Sequence, residues 1–210
     1  GTILTGEKYY MEWKPDGFHE NEDERDPEDA RIMAYCEKLD NLLLQQIYQM
    51  FDKKRFIDLI ENFVVYDKGI KKVCRYNQFY GIKRTQRRLA KQRGGIIWHT
   101  QGSGKTALSY YLTYVLSDYF SKQNKVAKFY FIVDRLDLLK QASEEFEARG
   151  LVVKTASSRA ELMEQFRNNQ AQEGNTGKPE ITVVNIQRFA EDRSKVDLPA
   201  YATNLQRVFI

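Results

Sequence analysis

Residues His99 to Thr106 read HTQGSGKT, and their types and spacing suit the binding of a polyphosphate. The phosphate-loop pattern is G-x-x-x-x-G-K-[ST], and this stretch meets its last three positions with Gly104, Lys105 and Thr106. The departure is at the first position, where His99 stands in place of glycine. That position mainly eases the turn out of a preceding strand, whereas the later ones face the anion. Gly102 and Gly104 let backbone N–H groups close around phosphate oxygens where a β-carbon would intrude. A helix beginning near Lys105 adds its positive end to the same anion. Lys105 is then placed to reach the β and γ phosphates, and the Thr106 hydroxyl to ligate magnesium. The plainer alternative is a glycine turn between a strand and a helix, with Lys105 an ordinary surface lysine.

The elements around the loop favour the nucleotide. GIIWHT (95–100) reads as a short apolar strand entering it. Lys105 to Phe120 reads as an amphipathic helix leaving it, with Leu108, Tyr111, Leu112, Val115, Leu116 and Tyr119 as its apolar positions. Further on, KFYFIV, LVVKT, ITVVNI and the terminal RVFI read as strands. Helices are expected between them at Leu136 to Arg149, around Leu162, Met163 and Phe166, and briefly after ITVVNI, with NNQAQEGNTGKPE as a loop. Strands alternating with helices make βαβ units, and hence a mostly parallel, doubly wound α/β sheet from about residue 75.

Upstream, the pattern is different. Residues 1–15 alternate aromatic and polar positions, as in a half-buried strand or hairpin. The acidic run from His19 to Ala30 has few apolar anchors and is expected as a mobile loop. From Lys38 to Asp67 the spacing is helical, with Leu43, Ile47, Met50 and Phe51 on one face. A break near Asp52 leads to a second short helix carrying Phe56, Leu59, Ile60 and Phe63. Packing is the simplest role for this pair.

Composition narrows the class. The chain has 210 residues, enough for one full core with a smaller appendage, and is 42% apolar and 30% charged, as in a soluble globular protein. A net charge of +4 does not by itself mark a nucleic-acid binder. Its distribution is more telling: no acidic residue lies between Lys68 and Lys105, and RRLAKQR (87–93) is densely basic. A basic stripe beside a nucleotide loop hints at a polyanionic partner, although such runs are commonly just solvated faces. Cys36 and Cys74 lack metal-ligand spacing, and His19 and His99 are the only histidines, which argues against zinc and for reduced thiols in a cytosolic protein. No apolar run is long enough to span a bilayer, and no signal peptide is evident.

Two further groups could assist the loop. Gln78, at a helix start after Tyr76, has an amide able to pair donor and acceptor with an adenine edge, or simply to face solvent. Asp134, Arg135 and Asp137 stand where one strand meets its helix, and Asn185, Gln187 and Arg188 stand at the end of another. Ligands of open α/β sheets bind at the carboxyl ends of parallel strands. Polar groups there could grip a phosphodiester backbone without reading its sequence, or could merely cap helices.

Taken in order, RYNQFY, GGIIWHTQGSGKT, FIVDRLDLLKQ, TASSRAELMEQF and ITVVNIQRF resemble the restriction subunit of type I restriction–modification enzymes. WHTQGSGKT is the specific piece. The resemblance extends weakly upstream through MFDKKRFIDLIENFVVYDKG to the opening residues. It implies a superfamily 2 helicase-like motor of RecA-like fold that draws duplex DNA past the complex using ATP and Mg2+. A nuclease domain of the PD-(D/E)xK type would lie upstream, and methyltransferase and specificity subunits would be the partners. By the same resemblance Gln78 belongs to the adenine motif. Thr100, Gln101, Gly102, Ser103, Gly104, Lys105 and Thr106 form the nucleotide loop, with Lys105 and Thr106 as its catalytic pair. Arg135, Gln187 and Arg188 contact DNA. The expected organisation is a nuclease tail or linker over 1–35, a helical linker over 36–74 and a first motor domain over 75–210.

The terminal RVFI is expected to lead into an Asp-Glu-Ala-His-type box, so the chain is expected to be a fragment with little ATPase or nuclease activity of its own. Other superfamily 2 translocases, of repair or remodelling type, share these motifs without the nuclease. A non-hydrolysing nucleotide-binding scaffold is the alternative from a different class, and it fits less well with an intact Gly104, Lys105 and Thr106. A small-molecule kinase leaves FIVDRLDLLKQ without a role.

Overall fold

The computed structural model describes residues 13–14, 26–167, 179–187 and 205–210. The chain divides into two compact units, Gly1–Leu108 and Ser109–Ile210.

The first unit begins its described elements with helix α1 (Pro27–Cys36), followed by α2 (Leu42–Phe51) and α3 (Lys53–Asn62). Each start has a local cause. Asp26 caps α1 by accepting from the Glu28 N–H at 2.9 Å, Pro27 supplies a preset φ, and Glu28 and Asp29 face the positive helix end. The acidic run expected as a loop is therefore helical over Pro27–Ala30: the same carboxylates that solvate a loop also start a helix. The rest of that run, and the strand expected over residues 1–12, lie outside the described residues. Trp13 and Lys14 are in no strand.

Asn41 caps α2 through the Leu43 and Leu44 N–H groups. Asp52 ends α2 and caps α3, so the break read at Asp52 is real. The packing reading of this pair holds for Leu59 and Phe63, which are 2% and 0% exposed, and needs correction for the other positions. Leu43, Ile47 and Phe51 of α2 and Phe56 and Ile60 of α3 are exposed, while Gln49 and Arg55 are buried.

Helical spacing also overreaches past Phe63. Residues Val64–Asp67 form strand β1, which pairs antiparallel with β2 (Ile70–Val73). Lys68 and Gly69 turn between them with φ of 50° and 80°, the positive pair that a two-residue hairpin needs. Helix α4 (Tyr76–Ala90) follows, and α5 (Lys105–Ser121) opens after the glycine loop. Between them, residues 93–100 form no strand. The expected GIIWHT strand is thus a correction. A strand needs a neighbour to take its N–H and C=O groups, and here Ile96 and Trp98 are about 90% exposed, at 91% and 89%.

The second unit contains most of α5 and the sheet. Its elements are β3 (Val126–Val133), α6 (Leu136–Ala148), β4 (Val152–Thr155), α7 (Arg159–Arg167), β5 (Glu180–Asn185) and β6 (Leu205–Phe209). The strands run in the order β4-β5-β3-β6, every neighbouring pair parallel. This is the expected α/β arrangement, preceded by helices. Parallel sheets are covered on both faces, and β5 accordingly buries five consecutive residues, Ile181 to Asn185. Tyr130, Val184, Ala156, Leu162 and Phe166 form one apolar cluster, with Met163 and Ile132 against it. The start of α7 is set by Ser158 and Glu161. The Ser158 hydroxyl accepts from the Glu161 N–H at 3.2 Å, and the Glu161 carboxylate accepts from the N–H and hydroxyl of Ser157 at 2.8 Å each. No helix among the described residues is long and apolar enough to cross a membrane.

Candidate nucleotide site

The loop before α5 is shaped by two left-handed glycines, Gly102 at φ 74° and Gly104 at 83°. They are glycine for different reasons. A β-carbon on Gly102 would meet no atom within 4 Å, so there only the backbone conformation requires glycine. A β-carbon on Gly104 would also lie 2.6 Å from Nε2 of Gln78.

Four loop carbonyls define the ring of contacts. Lys105 Nζ donates to Thr100 O at 3.0 Å and to His99 O at 3.3 Å. Arg75 Nη1 donates to Gly102 O at 3.3 Å, and Gln78 Nε2 donates to Gly104 O at 2.9 Å. Gly104 O also accepts from the Leu108 N–H at 2.9 Å, the first hydrogen bond closing α5. The cationic groups thus rest on carbonyl dipoles of the loop. The first-turn N–H groups of α5 have no partner within their own helix, as at any helix start.

Two buried polar atoms in this stretch have no partner: the Ser103 hydroxyl and Nδ1 of His99. Burial, and then the charge of Lys105, hold the His99 imidazole below its ordinary 6.5. A loop with a lysine at its helix start, left-handed glycines and an unsatisfied hydroxyl is chemically fitted to an anion with several oxygens. Thr106 lies in the first turn of α5, half-buried, and Gln101 is exposed.

Gln78 is not the solvent-facing glutamine that its sequence context also allowed. It is 4% exposed, and its Oε1 accepts from the Arg75 N–H at 2.9 Å while Nε2 holds Gly104 O. A primary amide has two donors and two acceptor sites, so one of each is committed and one of each remains.

In the second unit, the carboxyl ends of β3 and β5 are brought side by side, with Val133 opposite Asn185. Asn185 Nδ2 donates to Asp134 O at 3.1 Å, and its Oδ1 accepts from the Gln187 N–H at 2.8 Å. Arg135 precedes α6 and pairs with both carboxylate oxygens of Asp137, at 3.1 and 2.6 Å, where both side chains are largely exposed. Gln187 is exposed. Arg188 lies outside the described residues.

Sequence reasoning missed the wiring of α4. The basic stripe is partly matched within the protein: Arg87 pairs with Asp26 at 2.7 Å and Lys83 with Asp58 at 2.6 Å. Arg55 of α3 is buried against Asp29 of α1, and its guanidinium lies 5.7 Å from the ring centroids of Phe79 and Tyr80. The available signal was the complementarity between an acidic run and a basic run in the same part of the chain.

The sequence profile of the SWI2/SNF2 ATPase family matches residues 77–210. Among individual relatives, a Methanocaldococcus jannaschii protein named for the type I restriction enzyme MjaVIIP endonuclease subunit is 32% identical over 117 residues, 49% of this chain and 11% of that protein. The type I restriction enzyme HindI endonuclease subunit of Haemophilus influenzae is 28% identical over 177 residues, covering 80% of this chain and 16% of its own length. A Staphylococcus saprophyticus type I restriction enzyme endonuclease subunit is 43% identical over 76 residues, 35% of this chain and 8% of its own. The chain therefore spans less than a fifth of these relatives. The profile match covers the loop, α4 from its second residue and the whole parallel sheet, and the chain belongs to the SWI2/SNF2 ATPase family, with endonuclease subunits of type I restriction enzymes as its relatives.

Proposed function

We propose that this chain is the ATP-binding motor portion of a type I restriction endonuclease subunit. It binds ATP with Mg2+ at residues 99–106 to drive translocation of double-stranded DNA. The observation that carries this reading is the loop itself: two left-handed glycines and Lys105 opening a 17-residue helix, inside the region matched by an ATPase family. Residues 75–210 act as the first motor domain, 36–74 as its linker, and 1–35 as the approach from an upstream nuclease. The partners are duplex DNA and the methyltransferase and specificity subunits, in the cytoplasm.

In this reading each residue has a physical task. Lys105 exchanges its carbonyl contacts for phosphate oxygens, a charge-assisted replacement that favours the bound state. The first-turn N–H groups of α5 and the backbone of Thr100, Gln101, Gly102, Ser103 and Gly104 surround the phosphates, with the Ser103 hydroxyl supplying a further donor. Thr106 holds magnesium, whose chemistry here is neutralisation of phosphate charge. Gln78 keeps Gly104 in place and offers its remaining donor and acceptor to an adenine edge. Arg135, Gln187 and Arg188 hold the DNA backbone. The exposed pairing of Arg135 with Asp137 is weak enough for a phosphate to displace.

Calorimetric titration with Mg-ATP tests the reading directly. Lys105→Ala should weaken binding by about tenfold or more, the scale of one charge-assisted contact. Equal binding by wild type and Lys105→Ala would remove the loop from the nucleotide site.

A further inference from the structure

We infer that Arg55 is a positioning residue for the nucleotide loop, acting through helix α4. The inference rests on the nucleotide reading of residues 99–106 and extends it to a residue of α3.

Arg55 is 4% exposed and is ion-paired to Asp29, itself 6% exposed. Its Nη1 also donates to Gln49 O at 2.8 Å, so the guanidinium is fixed by α1, by α2 and by its own α3. Its Cζ then lies 5.7 Å from the ring centroids of both Phe79 and Tyr80, a contact of the cation–π kind. These two rings are the residues immediately after Gln78. Trp13 packs on both, at 5.5 and 6.2 Å between centroids. Lys83 to Asp58 and Arg87 to Asp26 tie the next two turns of α4 to the same carboxylate-bearing elements.

Rotation of α4 about its axis is thereby fixed, and Gln78 travels with that rotation. It donates to Gly104 O at 2.9 Å, and its Nε2 would lie 2.6 Å from a β-carbon placed on Gly104. The path from Arg55 to the loop is therefore short: guanidinium, ring pair, Gln78 amide, Gly104 carbonyl.

A buried ion pair is a poor way to gain stability, because replacement by apolar residues of similar volume is commonly neutral or stabilising. That fact separates positioning from plain packing. In the full chain, Arg55→Met combined with Asp29→Leu should keep the melting temperature within a few degrees of wild type. Amide hydrogen exchange at residues 102–106 in ligand-free protein should nevertheless accelerate roughly tenfold, and Mg-ATP binding should weaken by a similar factor.

Unchanged loop exchange and unchanged affinity in a stable double variant would overturn the inference. Should the double variant fail to fold, Arg55→Lys, which keeps the charge but not the planar face, decides by the same two readings. If wild type and Lys105→Ala both ignore Mg-ATP, the nucleotide reading fails, and loop exchange alone then decides whether Arg55 positions the loop.

Discussion

The sheet of the second unit and the helices before the loop in the first are stabilised by different means. In the sheet, Ile181, Val183 and Val184 are fully buried, Val184 in one cluster with Tyr130, Leu162 and Phe166. In the first unit, Arg55, Asp29, Asp52 and Gln49 sit among the buried residues, with Arg31 reaching Asp52 at 2.7 Å. An apolar core tolerates small adjustments, because dispersion and burial have no strict direction. Charged groups out of water hold one geometry, because each needs its partner. The region that must place Gln78 against Gly104 adds such directional contacts between buried charges to its apolar core.

The contrast is broken hardest by removing one member from each region. Phe146→Ala, at a fully buried position of α6, should cost about 3–5 kcal/mol through lost burial and the cavity left behind. Asp29→Ala should cost a comparable amount, about 3–5 kcal/mol, for another reason: Arg55 is left charged and unpaired in the interior. Urea unfolding measures both. They should differ on adding a second substitution, since Arg55→Met rescues Asp29→Ala by removing the stranded charge, whereas the cavity left by Phe146→Ala has no such single-residue rescue.

A smaller effect sharpens the comparison at the edge of the charged region. Asp26 both caps α1 and pairs with Arg87. Asp26→Ala should cost about 1 kcal/mol, mostly the cap, because the ion pair is partly exposed and screened. Its share should shrink as salt is raised, while the loss in Phe146→Ala should not.

The smallest expected effect is a pH dependence. The folded His99 imidazole is held below 6.5, so the unfolded chain takes up its proton first as the pH falls. The contribution of neutral His99 is whole above pH 6.5 and is lost as the pH falls below that toward the folded value. Stability of the wild type should decline modestly on that limb, and His99→Gln should flatten it. An identical pH profile in the variant would show that the imidazole is not shielded in the folded loop.

Much of the second unit was legible in sequence because its elements are periodic. Strands near 128–133, 151–155 and 181–186 and helices near 105–120 and 136–149 occupy the places their apolar spacing requires. Elements governed by partners were not. GIIWHT has the residues of a strand but no ladder, and VVYD looked helical until the Lys68–Gly69 turn gave it one. Periodicity also assigns a charge to the outside, which is why Arg55 was invisible: its partner is 26 residues away, on another helix. The glycine loop was legible in residue type. The bond from Gln78 to Gly104 was not, because spacing carries no information about which amide meets which carbonyl.

Cys74 stands immediately before Arg75, with its N–H on Phe63 O at 3.1 Å and its side chain 6% exposed. Burial, and then the negative charge of Asp58, push its thiol pKa far up. Only a thiolate is an effective nucleophile, so in the closed protein this buried sulfur should react slowly with alkylating agents and disulfides. Its alkylation should speed up when the start of α4 opens. The residue next to the aromatic and amide contacts of α4 therefore carries its own record of opening, written in covalent modification, at a position where no label need be introduced.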